Sequence, residues 1–202
     1  MGAAAVCLWA VAATAHVPML RGRLIDLVTR SNLIVVGVVQ QVRDVTPVVV
    51  DTTIHVDHVL VGNGAAPALT FRGPTRFAPA ARYVFFLHRD GTTIEGLQAS
   101  GTTFPAAPAD DATYGRTIAG IQHALDAPAA QRVTQLRGAL IPALSAGAAP
   151  LRYHAALELE ALVHEGHPLT DTERAALDRV RQAPTTDPAL QPILTDLLQR
   201  GG

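Results

Sequence analysis

The sequence predicts an α+β protein in which a group of strands precedes a group of helices. Between residues 32 and 104, apolar residues run without interruption or alternate with polar ones, which is typical of strands. Beyond Pro105 they recur every three to four residues, which is typical of helices. Because strands and helices are segregated along the chain, the pattern favours an α+β chain or two subdomains over a parallel α/β sheet.

A short helix and five strands are predicted in the first half. The helix covers 20–30, and the strands cover 33–45, 48–61, 68–72, 82–89 and 92–98. The first strand opens with four apolar residues from Leu33, as expected of a strand buried on both faces. In the second strand apolar and polar residues alternate, which predicts one buried face and one solvent-exposed face.

Five apolar stripes at helical spacing predict a helical domain over 113–202. The stripes begin at Ile118, Val133, Leu151, Ala176 and Leu190. Ahead of the fourth stripe, Thr170 and Glu173 have the spacing of a capping box, which predicts a helix start. The segment 105–112 between the two halves is rich in Pro, Ala and Asp and is predicted to be a linker.

Composition excludes several function classes. The chain has 202 residues, a net charge of −1, and 16 basic residues that are all arginine. A near-neutral chain lacks the basic surplus of a general nucleic-acid binder, and the absence of lysine excludes Schiff-base chemistry and the P-loop lysine. The single cysteine, Cys7, excludes a disulfide framework within one chain.

The first residues predict export. Residues 3–15 form an apolar run that ends in Ala13, Thr14 and Ala15, which fit a signal-peptidase site and predict a signal peptide over 1–15. The run is too short to span a bilayer comfortably. We therefore expect a secreted or periplasmic protein that begins at His16 and has no membrane span after processing. A buried N-terminal helix is the alternative.

The order of motifs in the first half resembles a family of small exported bacterial proteins. The matching residues are 31–37 (SNLIVVG), 56–62, 82–87 and 96–104, so the resemblance covers about residues 20–105. The fold of that family is like the OB-fold domain of tissue inhibitors of metalloproteinases. The resemblance implies a closed, antiparallel five-stranded barrel over 17–104. In the animal inhibitors an N-terminal cysteine binds the zinc of the protease. After signal cleavage this chain would have His16 at that position.

The helical half contains a second, shorter resemblance. The residues from Leu140 to Leu144, followed by Leu151, Ala155 and Leu159, are similar to one HEAT-type helical pair. Such pairs usually stack in arrays of three or more. The resemblance implies a surface that binds proteins rather than a catalytic site.

Three residues are candidate metal ligands. His55 and Asp57 share the polar face of the second strand, about 7 Å apart along the chain, and imidazole and carboxylate groups bind zinc or copper. The α-amino group and imidazole of His16 would add two ligands after signal cleavage. The alternative for His55 and Asp57 is an ordinary exposed strand face. His164 and His167 lack the spacing of a zinc protease motif and are predicted to end a helix.

The sequence thus favours a non-enzymatic binding module with no cofactor, whose ligand is a protein or a component of the cell envelope. Ser31, Ser100 and Ser145 lie outside any nucleophile-elbow motif, so no catalytic set is predicted. Aromatic residues make up 4% of the chain, too few for a nucleic-acid stacking surface. Two alternatives remain: a copper or zinc protein that uses His16, His55 and Asp57, and an inhibitor of secreted proteases.

Overall fold

The computed structural model describes residues 23–63, 66–99, 102–184 and 186–201. These residues form an α+β fold, as predicted. A helix, six strands and five further helices follow one another as α1 (Leu24–Arg30), β1 (Leu33–Thr46), β2 (Val49–Val61), β3 (Ala68–Gly73), β4 (Arg82–Asp90), β5 (Thr93–Gly96), β6 (Phe104–Pro105), α2 (Asp111–Asp126), α3 (Ala129–Ala146), α4 (Ala149–His164), α5 (Asp171–Gln182) and α6 (Gln191–Arg200). Of the described helices, none combines the length and apolarity that crossing a membrane requires. The predicted signal peptide, residues 1–15, lies outside the described residues.

Five strands close into an OB-like barrel in the order β1-β2-β3-β5-β4, with β4 pairing back to β1. The prediction of a wholly antiparallel barrel is wrong at one place, because β3 and β5 run parallel where Arg72 lies opposite Glu95. In a closed ring with an odd number of strands, the strand direction cannot alternate at every neighbouring pair. One parallel pair is therefore a consequence of closing five strands.

Aromatic residues fill the inside of the barrel. Phe77 packs against Phe85 with ring centroids 5.0 Å apart and an interplanar angle of 64°, an edge-on arrangement that aromatic pairs favour. Phe71 and Tyr83 also contact Phe85 in this cluster. The interior is thus a packed apolar core.

The outer face of β1 and β4 forms a second core with the helices. Ile34, Val36, Val84 and Phe86 are fully buried and belong to the same cluster as the apolar stripes of α2 to α6. This explains why β1 begins with uninterrupted apolar residues, since alternate side chains enter two different cores. The start of the strand is buried on both faces, as predicted, whereas its second half is largely exposed.

The segment between barrel and helices is short and structured. Residues 105–112, which were predicted to be a linker, include the end of β6, a 3-10 turn over Pro108–Asp110 and the first residues of α2. Further along, the predicted capping box is confirmed at α5. The Thr170 hydroxyl accepts the backbone N–H of Glu173, and the Glu173 carboxylate accepts the backbone N–H of Thr170 at 2.8 Å.

Candidate functional site

The predicted metal ligands do not lie in one described cluster. His16 lies outside the described residues, while His55 and Asp57 are both exposed on β2. The Asp57 carboxylate accepts the Nε–H of Arg82 at 2.7 Å, so one of its oxygens is already engaged. The sequence did not reveal this contact, because Arg82 lies in β4 on the other side of β1. The metal role of His16, His55 and Asp57 stays a prediction.

Arg82 is the centre of an ion-pair network at the junction of barrel and helices. Its Nη1 and Nη2 donate to the two carboxylate oxygens of Asp111, the first residue of α2, at 2.7 and 2.6 Å. Nη1 also donates to the carbonyl oxygen of Ala106 at 3.1 Å. The hydrogen bonds to Asp111 raise the pKa of Arg82, and those from Arg82 lower the pKa of Asp111. Bidentate pairs fix orientation, so this network holds the start of α2 against β4.

His58 joins the network from its solvent side. Its Nε2 lies 3.2 Å from Asp111 Oδ2, and its side chain is about 58% exposed. A carboxylate beside an imidazole is also found in catalytic sites. Here both oxygens of that carboxylate also accept hydrogen bonds from Arg82, so the arrangement is better explained as a surface extension of the junction.

A group of possible metal ligands lies instead between two helices. Glu160 and His164 are one turn apart in α4, and Asp196 in α6 faces them. One ligand atom from each lies within 4.8 Å of the other two, and this is the one such group found among the described residues. The spacing of Glu160 and His164 is visible in the sequence, where only the run from His164 to His167 was considered. The contribution of Asp196 was not visible, because it depends on the packing of α6 against α4.

The hairpin of β1 and β2 extends beyond the end of β4, while β2 stays paired with β3 as far as Val50. β1 pairs with β4 only from Leu33 to Val38, whereas it continues with β2 as far as Thr46. At its end is a short apolar surface, the hairpin tip, formed by residues 45–48. Val45 is 42% exposed and Val48 is 74% exposed, the largest exposure of any bulky apolar residue described. Both valines expose apolar surface to solvent, and neither belongs to one of the two hydrophobic cores.

The base of the hairpin tip is held by arginine–aspartate pairs. Asp51 of β2 accepts hydrogen bonds from Arg72 Nε at 2.8 Å and from Arg43 Nη2 at 3.0 Å. These bonds, that to Arg72 first, lower the pKa of Asp51 to about 2 from its ordinary value. Asp44, which lies in β1 on the same hairpin, forms an ion pair with Arg76. The side chains of Arg43, Arg72 and Arg76 are all more than half exposed, and so is that of Asp44, so charged groups of both signs lie at the base of the apolar tip.

A recess at the start of α4 contains a largely buried imidazole. The ring of His154 packs on Phe104 with centroids 4.6 Å apart, and burial lowers the pKa of His154. The recess has a volume of about 450 Å³, and Thr102, Tyr153 and Asp187 also line it. Its open shape and few convergent polar groups make it a weaker candidate than the hairpin tip.

Comparison with known proteins adds no family assignment, since no protein-family model and no curated protein matches the chain. The class is therefore defined by the structure: an OB-like barrel joined through the Arg82 network to a bundle of helices. The barrel also presents an exposed apolar hairpin tip.

Proposed function

We propose that the protein is an exported, non-enzymatic binding module that holds a protein partner through the hairpin tip. The observation that carries this proposal is the exposure of Val45 and Val48 at the end of a hairpin that extends beyond β4. Exposed apolar groups with a polar rim are typical of interaction surfaces. The barrel and the helices act as the scaffold that presents them.

The charges around the tip favour a partner with charged groups at the edge of its binding surface. The three arginines at the base of the tip pair with two aspartates, and the exposed Glu95 lies opposite Arg72 on β5. The rim therefore carries charges of both signs around an apolar centre. A complementary partner has an apolar pocket that receives the valines and oppositely arranged charges at its edge. A secreted protease is one partner of this kind.

Site-specific cross-linking tests the binding function. A photoreactive amino acid at position 48, in the full chain expressed in its own cells, is expected to give a defined protein adduct. The same group at position 59 is the control, because Val59 is also an exposed valine, 43% exposed, but lies on β2 outside the tip. Replacing Val45 by serine, in the protein carrying the photoreactive group at 48, is expected to reduce the adduct about tenfold or more, as losing one well-placed apolar contact does.

The charged rim gives the same experiment a second readout. Raising the salt concentration is expected to reduce the adduct at position 48, because screening weakens exposed charge pairs. Adducts at 48 and 59 in equal yield, or none at 48, would contradict the proposal. Adducts to lipid alone would show that the tip contacts a membrane rather than a protein.

Export and the two family relationships are part of this proposal. The closed strand order supports a relationship to the OB-like fold of tissue inhibitors of metalloproteinases, and the contact between α3 and α4 supports a HEAT-like pair. Export rests on the apolar run at residues 3–15. N-terminal sequencing of protein recovered from the periplasm or medium is expected to read His16 first. Recovery of the intact chain from the cytoplasm alone would contradict export.

A further inference from the structure

We propose that Glu160, His164 and Asp196 form a zinc site that links the end of α4 to α6. This inference is independent of the hairpin tip, and no step of it relies on a protein partner. It also differs from the site predicted from the sequence, since it shares no residue with His16, His55 and Asp57.

The donor set fits zinc. Two carboxylate oxygens and one imidazole nitrogen are ligand types that zinc accepts in sites where a water completes the tetrahedron. Together they carry two negative charges when the imidazole is neutral, which balances Zn²⁺. Magnesium and calcium prefer oxygen ligands alone, so the imidazole of His164 favours zinc over either.

The geometry needs only side-chain adjustment. Ligand atoms around a tetrahedral zinc are about 3.4 Å apart, as follows from bond lengths of about 2.1 Å. The three atoms here already lie within 4.8 Å of one another. Their backbones are held in place because Leu162 of α4 and Leu194 and Leu197 of α6 are buried in the shared core. Rotations about side-chain bonds can supply the remaining approach of at most about 1.4 Å.

The surroundings of the group favour a cation. His164 is the last residue of α4, where the helix dipole attracts positive charge. A cationic side chain already lies against two of the ligands: Arg200 donates from Nε to Asp196 at 2.7 Å, and its Nη1 lies 3.4 Å from His164 Nε2. Arg200 is 56% exposed, so it can turn into solvent when a metal replaces it.

Zinc titration of the full chain by calorimetry tests the site. We expect one equivalent to bind the unmodified protein. The variants His164→Ala and Glu160→Gln are each expected to weaken binding about tenfold or more, because each removes one of three protein ligands. Arg200→Gln is expected to strengthen binding several-fold, because it removes the group that competes for Asp196 and His164. That gain is not expected from a histidine that binds zinc adventitiously.

Two matched controls complete the test. His167→Ala removes an exposed histidine three residues further along the chain, beyond the end of α4, and is expected to change affinity less than twofold. His55→Ala tests the site predicted from the sequence and is also expected to leave binding unchanged. Absence of zinc binding, equal loss in His167→Ala, or loss in His55→Ala but not in His164→Ala would overturn the proposal.

Discussion

Replacing Gly37 by alanine is expected to destabilise the protein by about 3 kcal/mol. Gly37 lies in β1, opposite Val56 of β2 on one side and Tyr83 of β4 on the other. A Cβ atom added there would lie 2.3 Å from the backbone carbonyl oxygen of His55. Even close C–H···O contacts have carbon–oxygen distances of about 3.3 Å or more. The strands must therefore move apart by about 1 Å.

This clash is costly because the atom that must move belongs to the backbone. A flexible side chain can rotate away from an added methyl group, but the His55 carbonyl cannot move without shifting the ladder between β1 and β2. β1 also pairs with β4 along the line that closes the barrel. Moving it strains both ladders and the two cores that its side chains enter.

The same substitution at Gly138 is the control, with the opposite expected sign. Gly138 lies within α3, and an added Cβ meets nothing within 4 Å. Alanine there is expected to stabilise the protein by about 0.5 to 1 kcal/mol, because glycine is the poorer helix former. Urea denaturation followed by circular dichroism gives both free energies of unfolding. Equal effects of the two substitutions, or a loss below about 0.5 kcal/mol for Gly37→Ala, would contradict the argument.

Much of this fold could be predicted from the sequence because local patterns reflect burial directly. The uninterrupted apolar start of β1 and the alternation in β2 identify their faces, and Thr170 with Glu173 identifies a helix start from residues three apart. The parallel pairing of β3 with β5 could also have been predicted. A closed ring of five strands requires at least one parallel pair, a constraint that follows from the number of strands alone.

The candidate sites were harder to predict because their residues meet only after packing. Asp57 has the right chemistry for a metal ligand, but its contact with Arg82 depends on strand register across β1. Glu160 and His164 are close in sequence, yet Asp196 joins them only because α6 packs on α4. The exposure of Val48 depends on which elements pack over the turn between β1 and β2, and no local pattern of the sequence reports that.

Replacing Glu158 by alanine is also expected to cost about 3 kcal/mol of stability. The Glu158 side chain lies in α4 and is about 1% exposed. One of its oxygens accepts Arg23 Nε at 3.0 Å and Nη2 at 2.6 Å, and the other accepts the backbone N–H of Ile25 at 3.0 Å. The side chain of Arg23, the residue before α1, does not cap the first turn of the helix. Glu158 therefore supplies from α4 the acceptor that the start of α1 lacks.

Alanine removes both interactions and leaves the partly buried N–H of Ile25 without its acceptor. Breaking a buried ion pair typically costs about 3 to 5 kcal/mol of stability. We expect a value near the lower end of this range, because Arg23 is 24% exposed and can regain water. Glutamine keeps an acceptor for Ile25 and gives up the charge, so Glu158→Gln is expected to cost less, about 1 to 2 kcal/mol.

Glu165 provides a control that shares the partner Arg23 but lies at the surface. Its carboxylate lies 4.0 Å from Arg23 and is 57% exposed, so Glu165→Ala is expected to change stability by less than about 0.5 kcal/mol. Hydrogen exchange gives a second readout, since protection in α1 is expected to fall before protection in the barrel. If Glu158→Ala and Glu165→Ala cost the same, the pair with Arg23 is an ordinary surface ion pair. If Glu158→Gln costs as much stability as Glu158→Ala, the charge of Glu158 stabilises the protein and its hydrogen bond to the start of α1 does not.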